Sequence, residues 1–474
     1  MQLSSPRTKC RIAKTLGLLA ANLLAAHAAQ AAAAAGGVAQ DSGAIDQPGS
    51  LMTVPADGPG TTVIDSAVLF YQEQGGRVQA IEPTSSITIN RSNGDVFSAK
   101  YTYDSLTGAT PNGAMPWTSA QTFTTPSRGS AHSSGAQQTV TSASGTVVTN
   151  PTTGQAISQY MTPANTLPVD KGFRDRRYAG ELDYSWAYNS NTRISAGGAI
   201  SFERDYRSYS GNVGMSRDLN DKNTTLSINA NFEYDQSRPF FGTPTPLTPM
   251  NGDRKGPNDK KTVVSVVAGL TQVLSRHWLV QLNYSFGSNQ GYQADPYRIL
   301  SVVDVTTGAP LEYLYESRPR SRTRQSVYVG SKLSVGPTVA DLSGRFYHDS
   351  WGIDSITAEV AEQIPVTHAL YIQPGFRYYR QSAANFFRYY LLDGSPLPQF
   401  ASSDSRLSKF QSRTFDLKMG VKVFEGGEFY VLGEDYKQMG ASHLANAAGA
   451  LSGENLFSGV HARSVMAGLR FSVS

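Results

Sequence analysis

From Thr225 to Asp235 the chain alternates with a period of two. Leu226, Ile228, Ala230, Phe232 and Tyr234 fall on one face, and Ser227, Asn229, Asn231, Glu233 and Asp235 on the other. Trp278, Val280, Leu282, Tyr284 and Phe286 repeat the pattern against Gln281, Asn283 and Ser285. Phe415, Leu417, Met419, Val421 and Val423 do so against Asp416, Lys418 and Lys422. On a helix these residues would scatter around the axis, so the spacing predicts strands. Segments of this kind lie near 63–73, 77–90, 95–105, 177–188, 192–206, 208–217, 223–235 and 261–274, then near 277–288, 323–334, 338–350, 354–364, 368–382, 408–424, 428–437 and 459–473. They number about sixteen, an even count of the kind bacterial membrane barrels use.

The connections sort themselves. If the last strand ends in the periplasm, counting backwards puts short links on that side, among them Glu425-Gly426-Gly427, Pro365-Val366-Thr367 and Ser275-Arg276. The long ones, near 106–176, 236–260, 289–322, 383–407 and 438–458, all fall on the other side. The expected fold class is all-β: a transmembrane antiparallel β-barrel with long extracellular loops and short periplasmic turns. A secreted sandwich or propeller would also alternate, but no internal repeat is visible, and aromatics gather near strand ends as in an interfacial girdle.

Composition agrees. Only 39% of residues are hydrophobic and the mean hydropathy is -0.31. Past the first thirty residues the longest apolar-leaning run, Thr262 to Leu274, is short of the ~20 residues a spanning helix needs. Residues 1–31 carry Arg7, Lys9, Arg11 and Lys14 without an acid, then the apolar stretch Leu16 to Ala26, then two small-x-small sites, Ala26-His27-Ala28 and Ala29-Gln30-Ala31. This is the layout of a signal peptide with its cleavage site open between the two. Residues 32–62 read as a flexible periplasmic lead-in and 63–474 as the barrel. Cys10, the chain's one cysteine, would leave with the signal, so no disulfide is expected. Forty-one Lys and Arg less those four leave thirty-seven, equal to the Asp and Glu, so the mature chain is neutral and nucleic acid is not an expected partner.

Three stretches carry a resemblance: Tyr103 to Trp117 (YDSLTGATPNGAMPW), Tyr347 to Ser355 (YHDSWGIDS) and Phe376 to Phe387 (FRYYRQSAANFF). They resemble an uncharacterised bacterial outer-membrane barrel family, catalogued as domain of unknown function thirty-five seventy. The resemblance spans most of the mature chain and implies an outer-membrane or periplasm-facing barrel with no assigned catalytic residue. It also implies the company of periplasmic thioredoxin-like and flavin-attaching proteins, hence of a redox or export system.

Little else points to chemistry. Asp104 to Gly108 offers one carboxylate without the spacing of a calcium loop and reads as a tight turn. His348, flanked by Asp349 and Asp354 with Ser350 and Ser343 nearby, has the residue types of a hydrolytic triad but sits on the lipid-side parity. The six mature histidines have no metal-ligand spacing, so neither metal nor cofactor is expected, and no enzyme. On strand parity, Lys100, Asp183, Glu203, Glu233, Asp341, Arg345, Glu359, Arg377, Lys418 and Lys422 project into the lumen. Charges of both signs around a water-filled lumen suit a pore for small polar solutes. The other reading is a non-conducting structural or partner barrel serving a periplasmic redox or export system. The expected location is the cell outer membrane, with its lipid bilayer and outer-membrane assembly machinery as partners, and under the second reading a periplasmic protein.

Overall fold

The computed structural model describes residues 59–125, 158–239, 242–250 and 259–473. The signal segment, most of the lead-in and residues 138–150, whose sequence QTVTSASGTVVTN suggests a hairpin, lie outside the described residues.

In chain order the first strands are β1 (Thr62–Glu73), β2 (Val78–Asn90), β3 (Val96–Pro111), β4 (Gln121–Thr125), β5 (Ser158–Thr162), β6 (Val169–Asn189) and β7 (Thr192–Phe202). Next come β8 (Tyr206–Leu219), β9 (Thr224–Ser237), β10 (Asp259–Ser275), β11 (Trp278–Gly291), β12 (Ile299–Val303), β13 (Pro310–Tyr315) and β14 (Ser321–Val335). The last are β15 (Thr338–Asp349), β16 (Asp354–Pro365), β17 (Leu370–Gln381), β18 (Leu391–Leu392), β19 (Phe410–Phe424), β20 (Gly427–Gly440) and β21 (His461–Val473). Sixteen of them, all but β4, β5, β12, β13 and β18, form one closed antiparallel barrel in sequence order. Each overlaps one segment marked by the alternation. Closure is made by β1 against β21, from Thr62 opposite Val473 to Glu73 opposite Ala462. No helix of the described residues is long and apolar enough to cross a membrane.

The period-2 pattern explains why these strands curl into a tube rather than fold into a sandwich. The large exposed side chains are apolar and lie on the outward parity: Val213 is 60% exposed, Phe232 53% and Leu342 48%. On the opposite parity of the same sheet, Asn229, Ser265, Asn283 and Ser326 are polar and buried. A soluble β-protein has the reverse arrangement, so the outer surface is made for hydrocarbon.

One end of the tube carries the short turns. The other carries the long loops 112–168, 238–258, 292–320, 382–409 and 441–460, with three short links at 74–77, 203–205 and 350–353. The segment from Asp104 to Gly108 corrects the sequence reading. It is not a turn, because β3 runs on to Pro111 and pairs with β6 as far as Val169. The extra length is accommodated at Gly108, where φ is +140° and the register shifts; a Cβ there would strike the carbonyl of Arg77.

Register gives a direct test. Phe232→Arg would place a charge on the lipid face at a cost of ~2–4 kcal/mol if near the bilayer midplane, whereas Asn231→Arg points inward. We expect the first variant alone to lose yield in folding into vesicles, read by heat-dependent gel mobility. Equal loss in both would put the register off by one residue.

Candidate functional site

The inner wall is a lattice of charges tied to neighbouring strands. Asp341 bonds Lys332 at 2.9 Å, Glu359 bonds Arg377 at 3.1 Å, and Lys418 lies 4.0 Å from Glu428. Lys100 stands opposite Glu181 in register, and Asp183 accepts from Asn212 at 3.1 Å. Arg345 sits 5.9 Å from the centre of the Tyr328 ring. Glu233 shares the inward parity of Asp235, which holds Lys261 at 3.0 Å. Lys422 is exposed near the turn end. Glu203 lies beyond the end of β7, in the link 203–205, where burial pushes its carboxyl up to about 8; Asp175 adds to this and Arg177 opposes it.

The three ion pairs Lys332–Asp341, Arg377–Glu359 and Lys261–Asp235 join adjacent strands, whose axes are roughly 4.8 Å apart. These bonds therefore run along the wall and do not bridge the lumen. Tyr371 and Tyr430 lie along the wall as well. Their rings cover Gly420 and Gly468, where a Cβ would come within 2.3 and 2.4 Å of ring carbons. Their hydroxyls donate to Glu428 at 2.6 Å and Asp65 at 3.0 Å, and Lys418, only 5% exposed, lies 4.7 Å from the Tyr430 ring centre.

The loop end is covered. Asn112, from the loop after β3, accepts from the Ile299 amide at 2.9 Å, although six strands separate the two loops around the ring. Thr307 accepts from Ala450 at 3.0 Å across another six strands. Chain segments rooted on different sides of the tube can meet only by crossing its mouth. They form a cap with a three-stranded sheet, order β13-β12-β18, and a two-stranded sheet, β4-β5. Small apolar clusters hold it. Met115, Val303, Leu451 and Leu456 pack together in one, and Phe123, Ile299 and Tyr315 with Ala114 in another. Of the aromatics in the long first loop, Phe123 is fully buried and packs at a tilt against Tyr160 and Tyr313, while Trp117 packs on the first cluster.

A buried ion cluster joins two of the loops. Arg318 bonds Glu316 at 2.7 Å and Asp404 at 2.9 Å; Arg406 bonds Asp404 at 2.6 Å, and Arg298 lies 3.7 Å from it. Burial would raise the Asp404 carboxyl, but the guanidinium groups of Arg298, Arg406 and Arg318 hold it well below the usual range. Glu316 goes the other way: burial lifts it despite Arg318. The Ser317 amide donates to the Ala401 carbonyl at 2.8 Å and the Ser317 carbonyl accepts from the Ala401 amide at 2.9 Å, so the backbone is locked beside the charges.

The residue types of a triad are not assembled. His348 bonds Asp354 at 2.7 Å with both exposed on the outer face, whereas Ser343 points inward to Glu359. Among the described residues no group of three His, Cys, Asp or Glu could hold a metal ion. Sequence reasoning passed over Arg177 and Glu181, although they share the parity of Asp183. It also missed the cap cluster, whose arginines follow no period; the run Arg318-Pro-Arg-Ser-Arg-Thr-Arg324 was its one outward sign.

A family model described as "Protein of unknown function (DUF3570)" matches residues 24–471. The chain belongs to this family. None of the curated proteins matches this DUF3570 protein. Among solved structures, it is similar to the ferric enterobactin receptor PfeA of Pseudomonas aeruginosa, at 9% identity and TM-score 0.41, over 87% of this chain and 60% of that one. It is also similar to a bacterial polysaccharide outer membrane secretin (8%, 0.40, 88% and 100%) and to OccAB1 of Acinetobacter baumannii (9%, 0.37, 87% and 95%). Against the siderophore receptors PirA and PfeA the chain spans only 57% and 59% of their length. Likeness at this level carries no argument about what this DUF3570 protein transports or binds.

Two expectations follow from the charges outside the strands. Asp404→Asn removes the buried carboxylate shared by Arg298, Arg318 and Arg406, a change that costs about 3–5 kcal/mol where a buried pair is broken. Limited proteolysis should then cut within 382–409 while heat-dependent mobility of the barrel persists; unchanged resistance would show that the cluster does not hold the cap. Glu203 has a raised folded pKa, so its contribution to stability is full at low pH and is lost as pH rises through about 8. Glu203→Gln should therefore raise the thermal midpoint more at pH 9 than at pH 6, and an equal shift at both would contradict the assignment.

Proposed function

We propose that this DUF3570 protein is an outer-membrane barrel that passes small polar solutes through its lumen, with the loop cap narrowing the outer mouth. The turn end faces the periplasm and the loop end the exterior. The observation that carries the reading is the direction of the wall's ion pairs. Bonds made along the wall pair charges without crossing the lumen, and a sixteen-stranded tube is wide enough for an aqueous channel. Of the ten charges named from the sequence, all but Glu203, which stands in a link at the loop end, are then lining residues, and none is catalytic. The outer-membrane lipid bilayer and its assembly machinery are the partners this reading requires.

The cap is the observation that favours a second reading, a closed barrel that serves a periplasmic redox or export partner. Its apolar clusters and ion cluster are built like a small folded domain, more than a lining loop needs.

Planar-bilayer recording separates the two. We expect discrete conductance from the whole protein and a clear rise when Ser119 to Thr162 is deleted, since that removes β4, β5 and the Phe123 anchor from the cap. No conductance from either form, together with co-purification of a periplasmic protein, would decide for the closed barrel.

A further inference from the structure

Bases on the outward face of the strands are distributed unevenly between the two ends. Near the loop end, Arg176, Arg207 and Lys260 occupy the lipid-side parity on one side of the ring, each exposed. Across β17, β19, β20 and β21, Arg380, Arg413, Lys437 and Arg463 do the same on four successive strands. In the halves of the strands nearer the turn end, Arg217 is the one outward base among the described residues.

Arg413 stands directly opposite Lys437 in register, and Tyr378 opposite Arg413 sets Arg380 one diagonal step away. Like charges in directly opposed positions destabilise a sheet unless an anion lies between them. Within the group only Arg463 has a carboxylate, Asp435 at 2.9 Å; among the described residues no ion pair joins Arg380, Arg413 or Lys437 to an acid. Immediately toward the middle of the barrel, Phe376 and Phe415 lie side by side on the same face, ring centres 4.9 Å apart, followed by Leu417 and Met419. Three bases without an acid partner, beside Arg463 tied to Asp435, stand above an aromatic pair and an aliphatic strip, which matches an amphiphile with an anionic head and acyl tails.

We infer that the outward face of β17, β19, β20 and β21 at the loop end binds the phosphate-bearing headgroup of a lipid in the surrounding leaflet, its acyl chains lying on Phe376 and Phe415. The occupant is a membrane lipid and not a soluble anion, because the bases face the bilayer and the apolar strip continues them. The inference rests on the reading of the barrel as membrane-spanning, with the loop end in the leaflet that carries such lipids.

The test uses the full chain purified in a neutral detergent, with diphosphorylated lipid A as probe, and native mass spectrometry to count bound lipid. We expect retention of the diphosphorylated lipid and binding about tenfold weaker in Arg413→Gln/Lys437→Gln. We also expect loss of binding when the probe is dephosphorylated. Lys437→Gln alone, which leaves strand pairing intact, gives a smaller loss in the same direction if the double variant does not fold. Equal binding by variant and wild type, or by the dephosphorylated probe, would overturn the inference, and so would inorganic phosphate competing as well as the lipid. Heat-dependent mobility and membrane fractionation of the wild type are measured alongside. A protein that never reaches the outer membrane would refute the proposed function, whereas a fractionating barrel without lipid selectivity would refute only the present inference.

Discussion

A backbone amide in hydrocarbon has no water to bond, and an unpaired one costs several kcal/mol, so a sheet that enters a bilayer must have no edges. The pairing of β1 with β21 meets that requirement. Once the ring is closed, every other property of the wall follows from the two-residue repeat: one set of side chains must face lipid, and the other has no choice but the interior. The charges on the inner set are then crowded onto a curved surface where the nearest opposite charge is on the next strand. This is why Lys332 finds Asp341 and Arg377 finds Glu359.

Wall and cap solve the burial problem differently. The wall satisfies polar groups by a regular lattice and uses its apolar residues on the outside. The cap is irregular, with apolar residues inside in small separate clusters, and its charges are taken out of water altogether. Burying Arg318 and Glu316 is tolerable only because each guanidinium and carboxylate has several partners in place at once. A cluster of this sort adds little net stability against an apolar replacement, but it permits one arrangement of the loops and penalises others.

Legibility in the sequence tracks this division. All sixteen barrel strands could be located from alternation alone, because the repeat is imposed separately on each strand by its two environments. That Asp341, Glu359 and Lys418 fall on the parity opposite to the apolar residues was legible for the same reason. Their partners were not, since strand adjacency says who is near but not which rotamer meets which. β12, β13 and β18 left no trace: all five residues of β12 are buried, so there is no second face to mark a period. The outer part of β3 was hidden by Asp104, Thr107 and Gly108, turn-forming residues that here serve a long strand and its bulge.

The cap bonds join loops that are neighbours neither in sequence nor around the ring. Asn112 and Ile299 are fixed within reach of each other only after every strand between them has taken its place. Ala450 and Thr307 depend in the same way on the strands between their loops. The order of assembly is thus written into the topology: the tube comes first and the lid last. Until the final strand docks, five long loops with their apolar clusters apart must be kept from sticking to one another or to other chains. The hazard in making this protein therefore lies at the loop end, the part that is last to become ordered.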